Sequence, residues 1–256
     1  MDIFNTKQYI IRNGDFASNG NKKLIYSLFA LLLCIDDYIN FNSTRCFNIM
    51  IGSSIIWTII EFLLHITGTR IISQMYITNL WNNEKIKLPN YLGILLQGIQ
   101  EGGMITTFGL YFAERLNEKI YIWLLHIFLF YMSSSMLYAP VIKTNNKSKR
   151  QINTLSSICL MCIITIYNMY CFYYNPIHRM SLIKMFFTMV YLSSIWTFIS
   201  YYKQYRGIEI SKNDIVQTST HFDAFLILGY DVVFEIGIAY LTFYNLFLLD
   251  NTTNLI

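Results

Sequence analysis

Charge is what this sequence has least of. Charged residues make up 13% of its 256 positions, about half the share of an ordinary soluble domain. That balance argues against a soluble globule and for a membrane protein. Proline is sparse too, with three in the chain, so the residue that most readily breaks a helix seldom interrupts the apolar runs. Basic residues number 19 and acidic ones 15, but the basic ones form no patch suited to a nucleic acid. Histidine is confined to His65, His126, His178 and His221. A zinc site built mainly on histidine needs three at one depth, and only His65 and His221 fall near the same one. No metal and no other cofactor is expected. Cys159 and Cys162 have the spacing of a CxxC motif, but they lie inside the apolar run SSICLMCIITIY, where small apolar packing accounts for them. There is no visible internal repeat, which weighs mildly against a transporter built from inverted repeats.

Apolar residues, in contrast, make up 54% of the chain. They gather in seven runs: 24–39, 46–66, 91–113, 120–142, 155–174, 180–202 and 222–249. Most approach or exceed the roughly 20 residues needed to cross a bilayer core of about 30 Å. The expected fold is therefore an all-α membrane protein, a seven-transmembrane-helix bundle. Residues 1–23 form a cytoplasmic amino-terminal segment, 24–250 the membrane domain and 251–256 a short outer tail. Short polar stretches read as connectors. Alternation of the seven runs puts 14 of the 19 basic residues on the side of the amino terminus. By the bias of Lys and Arg towards the cytoplasm, the amino terminus is inside and the carboxyl terminus outside. Rhodopsins and G-protein-coupled receptors have the reverse orientation, and the last run has no lysine for a retinal Schiff base.

Chemistry concentrates in three of the runs. In WTIIEFLLHITGTR (57–70), Glu61 and His65 stand four residues apart and share a helical face, with Arg70 at the cytoplasmic end. Segment LLQGIQEGGMITTFG brings Gln97, Gln100 and Glu101 to mid-membrane, and the last run brings Asp231 and Glu235, again one turn apart. Each unpaired ionisable group at a helix centre costs about 2.5–3.5 kcal/mol or more, so the carboxylates should face one another rather than lipid. The expectation is one cavity, open to the cytoplasm, lined by Glu61, His65, Glu101, Asp231 and Glu235. Gly98 and Gly102 form a GxxxG that permits close packing beside Glu101. Asp36, Asp37 and Glu114 fall near outer helix ends, where water can solvate them.

Three functions fit this pattern. The first is a membrane-embedded enzyme acting on a lipid-like substrate by acid–base chemistry, with Glu61, His65 and Glu101 as catalytic candidates. Asp231, Glu235, Gln97, Gln100 and Arg70 would then bind the substrate. The second is a proton- or cation-coupled transporter using the same carboxylates as a relay. The third is a non-catalytic module that binds a lipid or partner, its polar groups serving as structural glue. The partners implied are membrane lipids and a lipid-like small molecule.

Overall fold

A computed structural model describes residues 6–79, 81–139, 146–212 and 215–249. Helix makes up 71% of the described residues. Among the described residues six helices are long and apolar enough to cross a membrane. In chain order they are α2 (Gly20–Phe41), α3 (Arg45–Ile66), α6 (Lys119–Tyr138), α7 (Leu155–Tyr174), the span Pro176–Tyr202 containing α8 (Arg179–Tyr202), and the span His221–Leu248. Their outward faces carry Leu28, Leu32, Ile39, Ile51, Ile163, Ile166 and Phe187, all exposed. An apolar exterior around a bundle is the pattern expected of helices surrounded by lipid. A short helix, α1 (Asp15–Ser18), precedes α2, whose N-terminus is capped by the Asn19 side chain accepting from the amides of Asn21 and Lys22.

Two of the long helical paths change pitch. Residues 90–114 run as α4 (Asn90–Gly98), a π-helical segment Ile99–Met104, and α5 (Ile105–Glu114). Its length rivals the six spans, but Gln97, Gln100 and Glu101 dilute its apolar character, and it falls outside that set. The last span runs as α9 (His221–Tyr230), a π-helical segment Asp231–Ile238, and α10 (Ala239–Leu248). Widening a helix to π pitch frees carbonyls, and here side chains take them. Thr106 and Thr107 hydroxyls donate to the carbonyls of Gly102 and Gly103, both at 2.7 Å. The Asn168 amide donates to the Ile238 carbonyl at 2.8 Å.

The connectors depart from expectation, because several are strands. Among the described residues a five-stranded antiparallel sheet runs in the order β2 (Arg70–Ile71), β5 (Lys147–Gln151), β1 (Thr6–Asn13), β6 (Arg206–Lys212), β7 (Ile215–Thr218). A hairpin of β3 (Tyr76–Thr78) and β4 (Lys85–Lys87) lies between α3 and α4. Residues 6–23 of the amino-terminal segment thus contribute the central strand, α1 and the first turn of α2. Residues 140–142, placed in the fourth run, and the tail 251–256 lie outside the described residues.

The main apolar core joins the helices around Ile49, Leu110, Tyr111, Met185, Met189 and Tyr244. A smaller one seals the sheet to α9, where Ile10 and Ile208, opposite each other in register, meet Ala224, Ile227 and Leu228. At the far end of the bundle Asp37 is buried and ion-paired to Arg115. The same guanidinium lies 4.1 Å from the Phe41 ring centroid and 4.0 Å from that of Tyr111. Asp37 is therefore enclosed rather than solvated, because Arg115 folds back over it.

Candidate functional site

Strand register explains the site. Directly opposed residues in a sheet point to the same face, and so do residues two apart along one strand. Arg12 lies opposite Arg206, Ile10 opposite Arg150, and Arg150 opposite Arg70. Since Ile10 and Arg12 are two apart, all four arginines project from one face, the face that Ile10 and Ile208 pack onto the helices. Like charges opposed across strands repel. The arrangement is stable only because the bundle presents carboxylates to it.

Those carboxylates stand on the two π-helical segments and on α3. Glu101 binds Arg12 and takes a two-pronged contact from Arg70, at 3.1 and 3.2 Å. It also accepts from the Trp57 indole at 3.3 Å. Arg70 bridges onward to Glu61, which is fully buried. On the second segment Asp231 accepts from Arg150 at 2.6 Å and from Arg206 at 2.8 Å, while Glu235 lies 2.5 Å from Arg150. Thr197 accepts a further contact from Arg206 at 3.2 Å. Arg150 has its pKa raised: burial opposes its charge, but Glu235 and Asp231 outweigh burial. Arg70 is raised likewise, by Glu101 and Glu61 against burial. For Arg206 burial dominates and lowers the pKa to about 10, which leaves it a cation at neutral pH.

Close packing holds Glu101 at this point. A Cβ at Gly98 would come within 2.1 Å of the Thr58 hydroxyl, and one at Gly102 within 2.5 Å of the Ser53 carbonyl. The π-helical segment therefore lies directly on α3, as the GxxxG spacing implies. Lys23, from the first turn of α2, reaches the same region and donates to Gln97 at 2.5 Å and to Gln100 at 2.8 Å.

Beside the network is a cavity of about 120 Å³, several times the roughly 10–15 Å³ that one water needs on the same measure. Its charged wall includes Arg12, Lys23, Glu101, Arg150, Arg206, Asp231 and Glu235, and its apolar wall Phe108, Phe128, Leu129, Met132 and Trp196. Gln100 also lines it. Glu61 and Gln97 stand behind the wall, joined to it through Arg70 and Lys23. His65 is not on the wall; it is half-buried on α3, and its Nδ1 finds no partner among the described residues. Nor do three His, Cys, Asp or Glu side chains gather among the described residues as a metal would require.

Arg12, Lys23, Arg150 and Arg206 stand out in the sequence only as topological charge, yet all four line the cavity. The strand-period signal was faint: Lys147-Ser148-Lys149 and Ile208-Glu209-Ile210 alternate, while TKQYIIRN carries three apolar residues in a row. No protein-family model matches the chain, and neither curated proteins nor solved structures return a match.

Proposed function

We propose that this protein is a seven-span integral membrane protein that takes a lipid-like amphiphile into the cavity between its sheet and its helices. The observation that carries the reading is the mixed lining of the cavity, where charged side chains and aromatic, apolar ones converge on one space. Small-molecule sites commonly combine an apolar enclosure with a few convergent polar groups. Both carboxylate-bearing segments are π-helical, a distortion frequent at functional sites.

The seven spans count 90–114 with the other six. All strands of the five-stranded sheet come from the amino terminus and from three connectors: those following α3, α6 and α8. Seven crossings bring these four segments to one end of the bundle, and that end carries the basic excess, which favours the cytoplasmic side. The amino terminus is then inside and the carboxyl terminus outside.

Within this reading, acid–base chemistry on a bound lipid falls to Glu101 and Glu235 on the cavity wall. Glu61 and His65 have no access to the ligand. A proton relay is less well supported, since the carboxylates alternate with arginines, which do not give up protons at physiological pH. Tryptophan quenching tests the proposal, as Trp57 and Trp196 both line the cavity. A brominated single-chain amphiphile should quench the cavity tryptophans saturably, and Leu129→Phe, which adds bulk to the apolar lining without adding an indole to the readout, should weaken the saturable component. Quenching that grows linearly with bulk lipid and ignores the Leu129 substitution contradicts it.

A further inference from the structure

The formal charges around the cavity do not cancel. Five buried or half-buried cations, Arg12, Lys23, Arg70, Arg150 and Arg206, meet four carboxylates, Glu61, Glu101, Asp231 and Glu235. The arginines divide the carboxylates among themselves. Lys23 is the cation left over: among the described residues its Nζ contacts only the neutral side-chain oxygens of Gln97 and Gln100. It is 5% exposed and stands on the cavity wall. An ammonium group has three donors, and these two amides use two of them. A buried ammonium without a counter-ion is costly, so an anion bound beside Lys23 would stabilise its charged form. Lys22 lines the same cavity and adds to the positive potential.

We infer that the ligand of this cavity carries an anionic head group, a phosphate or carboxylate on a single alkyl chain, and that Lys23 is its principal counter-charge. The inference rests on the amphiphile reading above and specifies the head. In the bound state the anion takes the third donor of Lys23, and the chain lies along Phe128, Leu129, Met132 and Trp196. Lys23 remains anchored by Gln97 and Gln100, which orient the ammonium without neutralising it. This gives the two glutamines of the polar helix a role: they accept hydrogen bonds but carry no charge to compete with the ligand.

Three probes separate the contributions of head and chain: dodecyl phosphate, dodecanol and inorganic phosphate, each added to the full-length protein in lipid nanodiscs and followed by tryptophan fluorescence. Dodecyl phosphate should bind at least about tenfold more tightly than dodecanol, the size of one charge-assisted contact. The variant Lys23→Met should reduce that preference to less than about threefold. Equal binding of dodecanol and dodecyl phosphate to the unaltered protein overturns the head-group inference and leaves the amphiphile reading standing. Inorganic phosphate binding as tightly as dodecyl phosphate identifies a free-anion site and overturns the amphiphile. Failure of both alkyl probes to bind overturns both. The comparison on the unaltered protein decides the matter even where Lys23→Met folds poorly.

Discussion

Glu101 has the most demanding position of any single residue. It receives Arg12, Arg70 and the Trp57 indole at once, so its charge is shared among elements far apart in sequence. Removing one member of a buried ion pair leaves the other charge exposed to a low-dielectric interior and costs about 3–5 kcal/mol. Glu101→Gln keeps the shape and removes the charge. It is expected to lower the thermal unfolding midpoint in detergent markedly, whereas Glu84→Gln, on the exposed turn between β3 and β4, should leave it within error. An unchanged midpoint for Glu101→Gln would mean that the arginines find other counter-ions. The presence of Glu101, Asp231 and Glu235 in one place is legible from sequence, because helical depth and the cost of lipid exposure both require it. His65 misleads for a physical reason: four-residue spacing puts two side chains on a common face, but a face is wide enough for Glu61 to be enclosed while His65 stays at the margin.

For the helices and strands, the question is why the carboxylates sit where the helix loses its regular pitch. On 90–114 the π-helical segment lies flat against α3 through Gly98, Gly102 and Gly103. Gly102→Ala brings a methyl to 2.5 Å from the Ser53 backbone carbonyl and from the Trp57 Cβ. Neither can move without shifting α3, so the substitution should cost about 1–3 kcal/mol, as overpacking does. Gly229→Ala, on α9, has no atom within 4 Å of the new Cβ, and alanine is the better helix former. It should cause no loss. Comparable unfolding midpoints for the two variants would refute the close packing. Helices were legible because apolar runs of membrane length have few alternative structures. The strands were not, because each is short, polar and stable only when paired with segments up to 206 positions away along the chain, such as Thr6 and Lys212.

Across the whole molecule, the basic residues perform two tasks with one set of charges. Their excess at one end favours the proposed orientation, and the sheet turns four of them inward as counter-ions for carboxylates in the helices. Positive-inside counting captures the first task and is blind to the second, since it weighs charges by loop and ignores strand register. The same inward turn lines the cavity with charged side chains beside aromatic and apolar ones. The most direct test of the account is a density map of the protein in lipid nanodiscs, with a bound antibody fragment as fiducial. An elongated density is expected along Phe128, Leu129, Met132 and Trp196, its head within hydrogen-bond reach of Lys23. A cavity holding only water, with Lys23 paired to a carboxylate of the protein itself, would contradict it.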